Sequence, residues 1–337
     1  METTDEVKRM AVNDLRKMWH ARKWMKQTEP FLMTWHAQLG YSLNLFSYFK
    51  KPTTVEEVAS KHQLDEVLLK RWVDVGLTVG HLKKKRRNKV KSSRQMVTYL
   101  TKTSKRSVGI LLEEMFELHI PTLLTYKHEL PKGDHQEKTP VANMVAETST
   151  LLEAVTLPKV ASRLNKQKSK RVLDVGCGLG GYIKKLAEQF PSIQFHGIEI
   201  DLDVCQRAND ENGYKNVTIE QGDFKDMPFQ QPYETVMMNN ILYYFTLVER
   251  IALIKKAADV LKRKGELMII TPLADGKHGR RFASAFNSFM TAHKDMNALP
   301  TKKELQYIAK QANLKIVEER ALIKEGEWYL IRLKRKT

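Results

Sequence analysis

The residues best placed to do chemistry lie in the run Val172-Leu173-Asp174-Val175-Gly176-Cys177-Gly178-Leu179-Gly180-Gly181-Tyr182. It reads as a buried strand, a glycine turn and the start of a helix. Glycines allow backbone to approach a ligand closely, and a helix start favours negative charge. Gly176, Gly178 and Gly181 formally match the GxGxxG spacing of dinucleotide sites. Asp174, two residues before the first glycine, argues against that reading. Its carboxylate closes the strand and faces the ligand, where it would repel a pyrophosphate and attract an ammonium group.

S-adenosylmethionine carries such an ammonium group and no phosphate. Glu199 closes the next β-branched run, where a carboxylate can accept hydrogen bonds from both ribose hydroxyls. Gly222-Asp223-Phe224 follows the third run, with Asp223 placed to accept from an adenine amino group and Phe224 to pack on the ring. The stretches LDVGCGLGG, GIEID, GDFKDMPF and VLKRKGELMII together resemble the class I S-adenosylmethionine-dependent methyltransferases. Residues 45–82, LFSYFKKPTTVEEVASKHQLDEVLLKRWVDVGLTVGHL, are similar to the dimerisation domain of small-molecule O-methyltransferases. The resemblance thus spans nearly the whole chain. It implies a Rossmann-like, seven-stranded α/β domain behind an N-terminal, mainly helical winged-helix domain. It also implies a homodimer, S-adenosylmethionine as cofactor, and a small organic acceptor, with a hydroxyl expected first. The cofactor residues expected are Asp174, Gly176, Gly178, Gly180, Glu199, Asp223, Phe224 and Asn239.

Methyl transfer is an in-line displacement, so such an enzyme must mainly align the acceptor and exclude water. A general base assists when the acceptor is a hydroxyl. Many relatives place a His after the fourth strand for this purpose; here the matching stretch is Asn239-Asn240-Ile241-Leu242-Tyr243-Tyr244-Phe245, with Tyr243 in its place. A phenol with a pKa of about 10 is a poor base at neutral pH, so Tyr243 is expected to orient the acceptor. His119 is then the best substitute base, on a helix over 107–130 that the resemblance places along the acceptor with Met115 and Phe116. Phe286, Phe289 and Met290 would form the opposite apolar wall. His36, His278 and His293 rank lower. No His and carboxylate cluster has metal-ligand spacing, so no metal is expected, and Cys177 reads as a small residue packed beside the loop.

These residues need elements to hold them. β-branched runs at 172–175, 194–200, 217–220, 235–238 and 267–271 alternate with helical segments and call for a parallel sheet with helices on both faces. The last runs, 314–322 and 328–333, lie too close for a parallel crossover and read as an antiparallel hairpin. Upstream, residues 8–27 and 29–49 carry apolar side chains at helical spacing and are expected to bury one face. Short helices follow from Thr54 to about Lys61 and from Asp65 to Gly76, then a hairpin of Gly80–Lys83 with Gln95–Leu100. A helix at 141–165 follows the polar break at 132–136. The domains expected are 1–105, a winged-helix dimerisation domain; 106–168, linking helices; and 169–337, the catalytic domain.

The 337 residues carry 57 Lys and Arg against 39 Asp and Glu, a net charge of +18. Residues 1–110 hold 23 basic and 10 acidic side chains, so the excess is N-terminal. Its densest part, Lys83 to Arg94, has eight cations and no anion and is expected at a hairpin tip. Such a run can neutralise phosphates, so two alternatives stay open: a methyltransferase acting on RNA or DNA, and a non-catalytic DNA-binding regulator that senses the cofactor. With two cysteines, no apolar leader and no stretch of about 18 apolar residues, a cytoplasmic protein outside the membrane is expected.

Overall fold

The computed structural model describes residues 4–131, 133, 135–137, 142–294 and 296–336; for 4–12, 142–147, 149 and 150 it describes the backbone alone. Parts of the polar break (Lys132, Asp134) and the first residue of the expected 141–165 helix lie outside the described residues. The chain divides into two compact units, Met1–Glu117 and Leu118–Thr337, so the expected linking segment is shared between them.

The first unit contains α1 (Thr4–Ser42), α2 (Leu45–Tyr48), α3 (Val55–His62), α4 (Glu66–Thr78), β1 (Leu82–Lys84), β2 (Val90–Ser92), α5 (Arg94–Tyr99) and α6 (Gly109–Glu114). Thr54 and Glu57 form a reciprocal cap at the start of α3, and the Asp65 carboxylate accepts from Leu68 N–H at the start of α4. Phe46, Phe49, Val58, Leu69, Trp72 and Val73 build the core of this unit. Two expectations need correction. The hairpin pairs Leu82 with Ser92 and Lys84 with Val90, so it lies inside the basic run rather than flanking it. Gln95–Leu100 is no strand, because the Ser93 hydroxyl accepts from Met96 N–H and starts α5 there. The expected pair of N-terminal helices is one helix running through Pro30, and its large apolar side chains from Leu15 to Met33 stay uncovered, Trp19 61% and Trp24 69% exposed, whereas Ala37 and Tyr41 near its end are buried.

The second unit opens with the end of a π-helical turn (Met115–His119), then α7 (Ile120–Glu129), α8 (Ala142–Gln167), β3 (Arg171–Val175), α9 (Gly181–Gln189), β4 (Gln194–Glu199), α10 (Leu202–Asp210), β5 (Val217–Gln221) and β6 (Tyr233–Asn239). A 3₁₀ turn (Leu242–Tyr244) leads to α11 (Leu247–Val260), β7 (Leu261–Pro272), α12 (Arg280–Thr291), α13 (Lys302–Gln311), β8 (Leu314–Ile323) and β9 (Trp328–Arg335). The strands form one sheet in the order β5-β4-β3-β6-β7-β9-β8. β5 to β7 are parallel, and β9 runs antiparallel to both its neighbours.

Period-2 alternation assigns the two faces. Val172, Met237, Met268 and Ile270 pack with α8 and α9 side chains such as Leu164 and Leu186, while Leu173, Val236, Met238 and Ile269 pack with α11 and α13. Asp174 shares its parity with Val172 and therefore points to the α8 and α9 side. Helix α8 is fixed to the sheet by a charge cluster around the fully buried Glu266. Arg163 of α8 holds Glu266 through two bonds of 3.2 and 3.0 Å, and Arg332 of β9 bonds it at 2.7 Å. A carboxylate so placed is tolerated only because its partners are in contact with it.

The first unit also buries an uncharged histidine pair. His36 Nδ1 lies 2.9 Å from His81 Nδ1, and its Nε2 lies 3.0 Å from the Trp72 carbonyl. The carbonyl only accepts, so Nε2 carries the His36 proton and Nδ1 accepts from His81. Burial, with the neighbouring His81, lowers the His36 pKa from 6.5 to about 4. The unfolded chain therefore binds this proton first, and stability falls as pH drops from 6.5 through about 4. The loss should approach about 3 kcal/mol. Urea unfolding at pH 7 and pH 4.5 should show that loss in the wild type and a much flatter profile in His36→Gln.

Candidate functional site

The strand order reverses between β3 and β6, and the carboxyl ends of β3, β4 and β6 bring the glycine turn, Glu199 and Asn239 to one edge of the sheet. Such a switch point is where open α/β sheets bind ligands. The turn leaves β3 through Gly176 and Cys177, whose N–H groups both donate to the Ile198 carbonyl at 2.8 and 3.0 Å. Gly178 has φ +56° and open space where a Cβ would stand, so the backbone conformation alone calls for glycine there. Gly181, at the start of α9, answers a different constraint: a Cβ would run into the Glu153 carboxylate.

Three carboxylates surround this turn and are almost inaccessible: Asp174 is 1%, Glu153 4% and Glu199 9% exposed. Glu199 braces the loop, its two oxygens accepting from Gly178 N–H at 2.8 Å and Asp201 N–H at 3.0 Å. Each oxygen keeps a second lone pair, so the brace is compatible with ribose hydroxyls as donors. Asn239 donates to Asp174 Oδ1 at 3.2 Å. Lys185 is paired with Glu153. Burial, with Glu153 and Glu199 nearby, pushes the Asp174 carboxyl up to about 8. Burial likewise raises Glu153, against the pull of Lys185. A site with this charge repels phosphate and favours a cation, so the residues fit the ammonium-bearing end of S-adenosylmethionine.

Asp223 lies in the turn after β5, its carboxylate accepting from Lys225 N–H at 2.9 Å. Phe224 turns inward, with its ring 5.4 Å from Phe229, and supports that turn from the core. On the other side of β6, five of the expected acceptor residues come together. Tyr243 meets Phe286 edge-on at 6.0 Å, His119 lies 5.8 Å from Phe286 and 4.0 Å from Phe289, and Met290 packs in the same cluster. Met115 and Phe116 belong to the first unit, where Phe116 stacks on Phe31 at 5.7 Å. His36 is accounted for by its pairing in the first unit, and His293 lies 3.4 Å from the Thr122 hydroxyl.

Sequence reasoning missed four participants. Glu153 and Lys185 look like ordinary helical charges until the fold brings α8 against α9. Trp328 packs on Phe282 and Phe286 at 6.0 and 5.7 Å, and its Nε1 donates to Asn240 Oδ1 at 2.9 Å. Glu327, fully buried, accepts from the N–H groups of His278 and Gly279 and so fixes the start of α12. The positive φ of Asn240 and Glu327 is tied to these bonds but has no signature in residue type. Among the described residues no group of three or more His, Cys, Asp or Glu side chains is arranged to hold a metal ion, and no helix is long and apolar enough to cross a membrane.

Comparison with known proteins agrees with this geometry. Residues 166–313 match the family model described as a methyltransferase domain. The malonyl-[acyl-carrier protein] O-methyltransferase of Halalkalibacterium halodurans is 23% identical over 172 residues, covering 47% of this chain and 61% of its own. The tRNA (guanine-N(7)-)-methyltransferase of Kluyveromyces lactis is 28% identical over 128 residues, 33% of this chain and 44% of its own. The chain thus spans about half the length of the curated relatives it matches. Among solved structures, human N-acetylserotonin methyltransferase in complex with S-adenosylmethionine superposes with a TM-score of 0.78 at 14% identity, over 94% of this chain and 98% of that one. An O-methyltransferase family protein from Burkholderia thailandensis gives 0.77 at 18% identity, over 94% and 98%. Residues 166–313 thus match a methyltransferase domain, and the chain shares the fold of these solved structures.

Because Glu327 holds α12, and α12 carries Phe286, Phe289 and Met290, its removal should act on the aromatic cluster rather than on the glycine loop. Glu327→Ala leaves two N–H groups without their acceptor and should cost about 1–3 kcal/mol in urea unfolding. S-adenosylhomocysteine affinity, read by calorimetry on the same variant, should stay within about twofold of wild type.

Proposed function

We propose that the protein transfers the methyl group of S-adenosylmethionine to a small organic acceptor, with a hydroxyl as the receiving group. The observation that carries this reading is the juxtaposition of an anionic glycine-loop cradle and a cluster of aromatic side chains on either side of the β6 end. When bound, the cofactor supplies an electrophilic methyl group on a sulfonium. The chain's own part is to bind, orient and keep out water.

In this reading Gly176, Gly178 and Gly180 let the backbone approach the cofactor. Asp174, steadied by Asn239, faces its ammonium group. Glu199 accepts from the ribose and Asp223 from the adenine amino group, with Phe224 closing that end of the site. Phe286, Phe289 and Met290 form an apolar wall for a flat acceptor, joined by Trp328. Tyr243 orients the acceptor hydroxyl, and His119 is the base assigned to that cluster. No observation favours the nucleic-acid or regulator alternatives over this one.

Calorimetry with S-adenosylmethionine should show binding by the wild type that Asp174→Ala or Glu199→Ala weakens at least about tenfold, or about 1.4 kcal/mol. An acceptor screen read by mass spectrometry should then find methylated hydroxyl compounds; loss of neither affinity nor turnover in these variants would refute the site.

The homodimer is part of the same proposal. Leu15, Met18, Trp19, Trp24 and Met25 are large apolar side chains left uncovered on α1, the kind of exposed surface that marks an interaction site. A second copy of this helix is the occupant proposed. Sedimentation should give a dimer for the wild type and a monomer for the double variant Trp19→Glu, Trp24→Glu; an unchanged dimer would place the interface elsewhere.

A further inference from the structure

The glycine-loop cradle holds three carboxylates, one of them paired with the Lys185 ammonium, while Lys184 runs beside Gly180 and interacts with Cys177 and Glu211. Glu153 enters it from α8, Lys185 and Tyr182 from α9, Asp174 from β3, Cys177 from the turn, Glu199 from β4, and Asn239 from β6. Lys185 pairs with Glu153 and is itself half exposed, so its charge is shared with solvent. The Tyr182 hydroxyl is engaged with Thr156 at 2.7 Å and stays protonated. Glu199 is occupied by two backbone N–H groups. That leaves Asp174 with one neutral donor, Asn239, and with two neighbouring anions. Its carboxyl, at about 8, keeps its proton at neutral pH.

We propose that Glu153 is a positioning residue that makes cofactor uptake a proton-coupled step: the ammonium group of the zwitterionic amino-acid end comes to rest beside Asp174 as Asp174 gives up one proton to solvent. This rests on the cofactor site proposed above and adds Glu153 to it. The balance is simple. The Asp174 O–H bond breaks, the proton goes to the buffer, and the ligand's ammonium becomes the counter-charge that the three carboxylates lack. Glu153 adds to the charge that makes this exchange favourable, and Glu266 holds it there by fixing α8. The same charge balance favours the cofactor over its product, which has lost the sulfonium charge, so product release is helped when Asp174 regains its proton.

The test is calorimetry of S-adenosylmethionine binding at pH 7 in buffers of different ionisation enthalpy, which counts protons directly. The wild type should release about one proton per ligand, and affinity should rise roughly tenfold per pH unit from pH 6 to pH 7.5. Asp174→Asn should release none. Glu153→Gln should release well under half a proton, and Glu153→Asp should restore most of the release. Lys185→Met, which leaves the Glu153 charge without its partner, should move the count at pH 8 towards one. It provides the same test should Glu153→Gln fail to fold. A wild type that binds without releasing a proton, or a folded Glu153→Gln with the wild-type count, overturns the proposal and leaves the cofactor site standing. A wild type that does not bind S-adenosylmethionine at all overturns that site first.

Discussion

Glu199 bonds the backbone N–H groups of Gly178 and Asp201, and that pair of bonds fixes the path of the glycine loop as it leaves β3. Everything around the candidate site follows from the constraint. A loop held this close to a carboxylate needs left-handed backbone at Gly176, Gly178 and Gly180, and it brings the start of α9 against α8. The result is a small volume with several buried anions and little counter-charge. Water cannot solvate them there, so the site favours a cationic ligand, and burial raises the pKa of the Asp174 carboxyl.

Holding such a site costs stability, and the rest of the second unit supplies the rigidity. Glu266 clamps α8 through Arg163 and β9 through Arg332, deep between two apolar layers. Glu327 does the corresponding work for α12 at the far end of β7, where its carboxylate takes two helix-start N–H groups. The two clamps serve different parts of the site: one positions Glu153 at the glycine loop, the other positions the aromatic side chains of α12. The glycine loop and the aromatic cluster can therefore vary separately.

The gathering of Asp174, Glu199 and Asp223 at one edge of the sheet was legible in the sequence because these residues sit at strand ends, where they close or follow short β-branched runs by fixed spacing. The sheet was legible for the same reason, down to the closing antiparallel pair of β8 and β9. Contributions that depend on tertiary contact were not. Glu153 is one acid on a mixed helix, and nothing in its neighbours marks it until α8 is packed on α9. Trp328 and Asn240 are far apart in the chain and meet only because β9 inserts between β7 and β8. In the first unit the basic run was read as a hairpin tip, whereas it contains both short strands, since Ser93 caps a helix where a strand was expected. The helical character of the N-terminal segment was legible, but its apolar side chains from Leu15 to Met33 are not buried, while Ala37 and Tyr41 are.

The carboxyl edge of β3 and β4 is the proposed cofactor cradle. An experimental structure with S-adenosylhomocysteine tests it most directly. The account predicts the amino-acid end against Asp174, the ribose hydroxyls on Glu199 and the adenine beside Asp223, with the sulfur facing Tyr243 and Phe286. A ligand lying elsewhere, or one whose amino-acid end points away from Asp174, would contradict it.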